Sequence, residues 1–360
     1  MATIYDVAAR AGVSPATVSR VFNGIRVTPA LAESVRHAAT ELGFVPNRNA
    51  RRLRTNSSEI IAMMVPDSET PFFTAMTRAV EDIARADGYS VMLCNTDEDP
   101  EREQEYLRVA VSDPVAGVIM VPSSSTTSLE LPLARGVPVV CVDRRAPHYP
   151  VDAVVADNVG ASEAATRRLF TLGHRRVACI SGPLGIETAD DRALGWSRAV
   201  RAQLGQDPHR SLLARAPYTI AGGESATRTL LDLPAPPDAI FAANNRLAAG
   251  AARVLAERDQ LPPAVGLMSF GGLPLVLLSP LGVQVAHLPA RDLGLQAATM
   301  MLQRIRGLDT PAREVVLPVI LGDTDASPSA PAAAIPGPGT DPARAASPAR
   351  APTLSTGGQP

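Results

Sequence analysis

Residues 3–24 read TIYDVAARAGVSPATVSRVFNG, and residues 27–43 continue VTPALAESVRHAATELG. Thr3 precedes an apolar-periodic segment and carries a hydroxyl able to cap a helix N-terminus. Asp6, three residues on, completes a pattern in which each partner satisfies an otherwise orphaned backbone N–H. Gly12 supplies a tight turn. Ser14 offers a second cap, with Pro15 at the first helical position, where a missing N–H costs nothing. That helix stops at Asn23-Gly24, and Thr28-Pro29 repeats the start signal for a third helix ending at Gly43. Two short helices joined by a tight glycine-containing turn make a helix-turn-helix. Ile4, Val7, Ala8, Val13, Val18, Val21, Phe22, Val35, Ala38 and Leu42 form its expected core. Pro15, Ala16, Thr17, Ser19 and Arg20 are left on or near the exposed face of the second helix, the one expected in a DNA major groove. Arg20 can donate to guanine O6 and N7 together, while the Ala16 methyl can touch a thymine methyl. An ordinary three-helix bundle fits the same periodicity and caps, so these residues alone leave both readings open.

Charge distribution adds to the first reading. The 360-residue chain has a formal net charge of only -2. Residues 1–55 nevertheless hold eight Arg (10, 20, 26, 36, 48, 51, 52 and 54) against Asp6, Glu33 and Glu41, or +5, which leaves -7 for the rest. A basic head on an acidic body suits a protein that docks one end on phosphate, although a solvated basic face has the same signature. Cys94, Cys141 and Cys179 are far apart and sit in or beside apolar runs, as reduced core residues do, with no disulfide framework or metal spacing. No apolar run approaches the ~18 residues a membrane helix needs, and no apolar leader follows Met1. A cytoplasmic protein with no membrane partner, cofactor or metal is therefore expected.

The two quoted stretches, extended to PNRNARRLR at residues 46–54, resemble the headpiece of the lactose/galactose-repressor (LacI/GalR) family of bacterial transcription regulators. The similarity continues through residues 65–107 (VPDSETPFF to EQEYL), GVPVVCVDRR (136–145), LGHRRVACISGP (172–183) and AIFAANN (239–245). It spans roughly residues 2–322. The resemblance implies that Asn23 joins Thr3, Ser14, Pro15, Ala16, Thr17, Ser19 and Arg20 in touching DNA. It further implies a hinge helix that enters the minor groove, with Leu53 as a wedge and Ala50 one turn earlier. An apolar wedge that kinks DNA offsets lost base stacking with added contacts. Asn47, Arg48, Arg51 and Arg54 complete the expected DNA-contacting set, mostly through phosphates.

From Ile60 the pattern changes. Short apolar runs (IIAMMV at 60–65, GVIMV at 117–121, PVVCVD at 138–143, AIFAA at 239–243, VGLMSF at 265–270) alternate with helical stretches, as in parallel sheets covered on both faces. The expected fold is an all-α helix-turn-helix headpiece followed by an α/β two-lobed domain of the type I periplasmic-binding-protein kind. The expected domains are residues 1–46 for the headpiece, 47–57 for the hinge and 58–325 for the effector-binding and dimerisation body. By resemblance, one lobe takes about 58–156 with 288–311 and the other 157–287 with 312–325. Residues 326–360, rich in Pro, Ala, Ser and Gly, cannot bury a core and are expected to form a disordered tail.

Open α/β sheets bind ligands at the C-terminal ends of their strands. Asp143, Arg192 and Asn244 fall there, and Phe72 and Phe73 begin a helix beside the cleft. These five are the expected effector-binding residues, each with a helix cap or hinge hydrogen bond as its purely structural alternative. Asp157, in the crossover region, is a weaker candidate. Three departures from the family stand out: Gly271-Gly272 where a carboxylate pair is common, Gly282 and Val283 in place of a Thr-rich stretch, and His287 where Gln is common. The last strand, residues 317–327, also lacks the usual Arg. Fewer acceptors for a polyol weaken the case for a simple sugar.

These features point to a sequence-specific regulator that binds palindromic double-stranded operator DNA as a homodimer, modulated by a sugar-like or other small metabolite. The alternatives are an effector-independent regulator, an architectural DNA-binding protein and a solute-binding protein. No P-loop, nucleophile elbow or metal cluster supports an enzyme.

Overall fold

The computed structural model describes residues 2–22, 25–44, 58–113, 115–273 and 282–322. The N-terminal helices are α1 (Ile4–Ala11), α2 (Pro15–Phe22) and α3 (Pro29–Glu41). The Thr3–Asp6 capping box forms in full: the Thr3 backbone N–H donates to Asp6 Oδ2 at 2.7 Å and the Asp6 N–H donates to Thr3 Oγ1 at 3.3 Å. The Thr3 hydroxyl, donating to Asp6 Oδ2 at 2.7 Å, and then the Thr3 N–H hold the Asp6 carboxyl below its usual pKa. Gly12 ends α1 at φ 64, where a Cβ would be strained. Ser14 Oγ accepts from the Thr17 N–H at 3.2 Å. Thr28, by contrast, makes no side-chain cap bond, and Pro29 alone marks the start of α3. Val7, Ala8, Val18, Val21, Ala32, Val35, Ala38 and Ala39 form the small core, with Ile4, Val13 and Phe22 packed against it. Leu42 is 37% exposed and does not join them; Phe44 packs there instead, its ring centroid 5.8 Å from that of Phe22.

The body contains two six-stranded sheets. The first has β1 (Ile60–Val65), β2 (Ser90–Asn95), β3 (Gly117–Met120), β4 (Val139–Val142), β5 (Asp152–Ala156) and β11 (Glu314–Leu317), in the order β11-β5-β4-β3-β1-β2. All its pairings are parallel. Helices α4 (Pro71–Ala86), α5 (Pro100–Ser112), α6 (Glu130–Ala134) and α11 (Ala290–Ile305) accompany it. The second has β6 (Val177–Ser181), β7 (Leu213–Arg215), β8 (Ala239–Ala242), β9 (Gly266–Phe270), β10 (Gln284–His287) and β12 (Ile320–Gly322), in the order β12-β10-β9-β8-β6-β7. Helices α7 (Asn158–Thr171), α8 (Glu187–Leu204), α9 (Ile220–Leu231) and α10 (Asn245–Glu257) accompany that one. Central strands are buried on both faces, which explains their unbroken apolar runs.

Three short crossovers join the lobes, around Asp157, Leu288-Pro289 and Pro318-Val319. One expected boundary moves. Residues 312–325 do not all belong to the second lobe, because β11 pairs with β5 and only β12 returns to pair with β10. The strand that the sequence shows as one apolar stretch is cut by Pro318, which cannot donate to a ladder. Residues 326–360, expected as a tail, lie outside the described residues.

The returning segment is fastened to the first lobe by a buried acid. Asp152 receives Arg304 Nη2 at 2.6 Å, Arg313 Nη2 at 2.9 Å and the Arg313 backbone N–H at 2.8 Å. Burial alone would raise its pKa, yet these bonds outweigh it and hold the carboxyl at about 2.

Candidate DNA-reading face and ligand cleft

On α2, Val18 and Val21 turn inward, while Ala16 and Arg20, four residues apart, are exposed on one face. Pro15, Thr17 and Ser19 are half-buried beside them. The Thr3, Ser14 and Thr17 hydroxyls are engaged locally, Thr3 with Asp6 at 2.7 Å and Ser14 with Thr17 at 3.0 Å. Sequence reasoning passed over Tyr5, which stands 70% exposed on the first turn of α1, next to the capping box. Its signal was available: an aromatic at a position the apolar period of α1 does not bury. Asn23, Asn47, Arg48, Ala50, Arg51, Leu53 and Arg54 lie outside the described residues.

Between the lobes, at the strand C-terminal ends, is a cavity of about 730 Å³. All five expected effector residues line it: Phe72, Phe73, Asp143, Arg192 and Asn244. Asp157 does not. Its backbone N–H donates to Leu317 O at 2.9 Å and its carboxylate caps α7 by accepting from the Gly160 N–H at 2.8 Å, so its role is structural. Asn244 has a double position, lining the cavity while its side-chain oxygen caps α10 through the Arg246 N–H at 2.8 Å. Phe72 and Phe73 meet edge to face, ring centroids 5.0 Å apart.

Arg192 comes from the second turn of α8 and is buried. Its Nε donates to Asn158 Oδ1 at 2.8 Å, its Nη1 donates to Ala243 O at 2.9 Å, and its guanidinium lies 4.4 Å from the Phe270 ring centroid. Both bonded partners are neutral. Burial accordingly lowers its pKa, and a guanidinium with so high an intrinsic pKa stays charged.

Asp143 follows directly on β4 in a left-handed conformation, φ 67, unusual without a glycine. Its Oδ1 is buried with no hydrogen-bond partner among the described residues. Desolvation raises its pKa against the pull of Arg144 and Arg192. Arg144 is held by Glu98 in a two-pronged pair at 2.7 and 2.6 Å and donates to Pro122 O at 3.1 Å. Burial works to lower its pKa, but the Glu98 bonds and nearby Asp143 raise it overall. The buried Tyr218 hydroxyl faces the same space, beside Thr188. Arg144, Glu98 and Tyr218 were missed from sequence because nothing in their spacing brings them together. Only the fold does so.

A buried carboxylate oxygen, a buried tyrosine hydroxyl and a guanidinium bonded only to neutral groups converge here. Such a site lacks partners that a small polar ligand can supply.

Residues 58–321 match the family model for periplasmic binding proteins and the sugar binding domain of the LacI family. Residues 3–47 match that for bacterial regulatory proteins of the lacI family. The chain belongs to the LacI family. A ribose operon repressor from Halalkalibacterium halodurans is 34% identical over 334 residues, covering 90% of this chain and 97% of that one. Among solved structures, the transcriptional regulator CelR in complex with cellobiose is 28% identical, with a TM-score of 0.65, covering 89% of this chain and 98% of that one. The lac repressor dimer bound to operator and the anti-inducer ONPF has a TM-score of 0.78 at 24% identity, covering 89% of this chain and 97% of that one, a likeness of fold. As a LacI-family member the chain is a DNA-binding transcription regulator with a repressor's architecture, and not an enzyme. Two expectations from family comparison acquire a physical reading. Gly271 sits at φ 99, where a carboxylate side chain would strain the backbone, whereas a Cβ on Gly272 would meet only open space. No helix among the described residues is long and apolar enough to cross a membrane, and no group of His, Cys, Asp or Glu there could hold a metal ion.

Proposed function

We propose that this regulator acts in the cytoplasm as a homodimer, reads a near-palindromic operator through α2, and answers to a small metabolite bound between its lobes. The observation that carries the DNA reading is the joint exposure of Ala16 and Arg20 on a helix whose other face is fixed in the headpiece core. Thr3, Ser14, Pro15, Thr17 and Ser19 flank that face and position it on the backbone. Arg20 reads guanine through two parallel hydrogen bonds, and twofold symmetry of the protein calls for an inverted repeat. Selection from random DNA tests both: an inverted repeat is expected, and Arg20→Ala should cost about 1–3 kcal/mol and relax preference at one base per half-site. A direct repeat, or an unchanged preference in the variant, rules out this geometry.

For the effector, Arg192 supplies donors and Asp143 an acceptor, while Phe72, Phe73 and Phe270 give apolar walls. With no carboxylate at Gly271-Gly272, the ligand has fewer hydroxyl donors than a free hexose, or carries an anionic group toward Arg192. Screening metabolites by thermal stabilisation of the parent and Arg192→Ala proteins tests the site. Equal stabilisation of both removes Arg192 from the site, and stabilisation of neither by any metabolite leaves an effector-independent regulator.

A further inference from the structure

The cleft continues beyond Arg192 along the end of β9. Phe270 lies under the Arg192 guanidinium, and Gly271 and Gly272 follow it with no side chains. The Gly271 N–H donates to Ala286 O at 2.8 Å, so Gly271 and His287 end neighbouring strands side by side. The His287 imidazole lines the cavity and has no hydrogen-bond partner among the described residues. Gly322 on β12 makes room for the ring: a Cβ there would come within 2.9 Å of His287 Cδ2 and Nε2. Burial lowers the pKa of His287, which keeps it neutral at pH 7, with one nitrogen to donate and one to accept. Leu288 adds an apolar edge, its Cδ1 3.8 Å from where a Gly271 Cβ would be.

We propose that Gly271, Gly272, His287 and Leu288 form a second subsite that takes a planar ring attached to the hydroxylated part of the effector, and that His287 reads a polar atom on that ring. The effector is then a glycoside with a flat aglycone, not a free monosaccharide. This deepens the effector reading above and depends on it. Three features lead to it. A polyol ring needs a partner for each hydroxyl, and this end of the cleft offers one imidazole and no carboxylate, the Asn245 amide being engaged with Gly272 O at 3.2 Å and the Arg246 N–H at 3.0 Å. The glycine pair leaves a floor against which a flat ring can lie. The cavity, about 730 Å³, falls in the upper half of the ~300–1,000 Å³ that drug-sized ligands occupy, more than one sugar ring calls for.

Calorimetric titration of the full-length protein tests this with adenosine and uridine, with p-nitrophenyl glycosides, and with free ribose and glucose. The two ring-bearing sets separate a heterocyclic from an aryl aglycone. At least one is expected to bind about tenfold or more tighter than the free sugar. His287→Leu should weaken the ring-bearing ligand about 3- to 10-fold and leave the free sugar unchanged, as loss of one ligand hydrogen bond does. His287→Gln, which keeps a donor and an acceptor, should recover part of the loss and guards against a folding defect in the leucine variant. Free sugar bound as well as any glycoside, or no effect of His287→Leu, overturns the subsite while Arg192→Ala still abolishes binding. Binding unaffected by Arg192→Ala, or no binding by any probe, overturns the cleft reading itself.

Discussion

The two walls of the cleft have opposite charge inventories. The first-lobe wall presents Asp67, Asp97, Glu98 and Asp143 with one cation, Arg144. The second-lobe wall presents Arg192 and Arg246 and, among the residues lining the cavity, no carboxylate at all. Acceptors face donors across the gap, and Arg246 of one wall already meets Asp67 of the other at 2.6 Å. A ligand that fits must point donors at one lobe and acceptors at the other. The missing carboxylate at Gly271-Gly272 thus helps to polarise the whole cleft.

The acids themselves divide in two. Asp152, at the start of β5, is fully paired and held at about 2, whereas Asp143, just beyond β4, is left with a free oxygen and a raised pKa. Asp152→Asn should therefore have the largest effect, about 3–5 kcal/mol of stability, since it leaves Arg304 and Arg313 without their charge partner. Its contribution is present above the ordinary carboxylate value of 3.8 and lost as pH falls toward about 2. Calorimetric melting between pH 5 and 2 should show the parent approaching the variant; a constant gap would break the assignment.

Arg192→Ala comes next. It should weaken the effector by about 2–5 kcal/mol, because a buried charged donor is lost from the acid-free wall. Titration of the operator complex should show the response to effector gone and effector-free DNA binding unchanged.

Asp143→Asn separates the two acids most sharply. Effector affinity should fall by about 1–3 kcal/mol. The unliganded protein should melt higher, since a raised native pKa means that the charged form destabilises the fold at neutral pH and the cost is relieved as pH falls. A lower melting temperature would place Asp143 with Asp152 as a structural acid.

Arg246→Gln should be the mildest, at most about 1 kcal/mol for a half-exposed pair, and its effect should shrink in high salt. Salt-independent loss would mean that Arg246 contacts the ligand rather than bridging the walls.

The sequence made much of this legible, for identifiable reasons. Caps at Thr3 and Ser14, the turn at Gly12 and unbroken apolar strands are local signals, and each formed as expected. Thr28 and Leu42 failed because Pro29 alone suffices to start α3 and Phe44 reaches the core in place of Leu42. The ends of β4 and α8 located Asp143 and Arg192, since strand ends and the following helix turns define a cleft in any such fold. Glu98, Arg144 and Tyr218 were out of reach because their partnership is set by packing across loops far apart in sequence. Asp157 misled because a crossover residue near a cleft can serve the hinge alone.

The Pro318-Val319 link has one more consequence. From Leu317 in the first sheet to Ile320 in the second is three Cα steps, which span at most about 11 Å when fully extended. Crossovers this short act as a leash, and the leash is pinned where the Asp157 N–H meets Leu317 O. The lobes can swivel about that pin but cannot slide apart. Whatever the cleft senses must leave the domain as a change of angle.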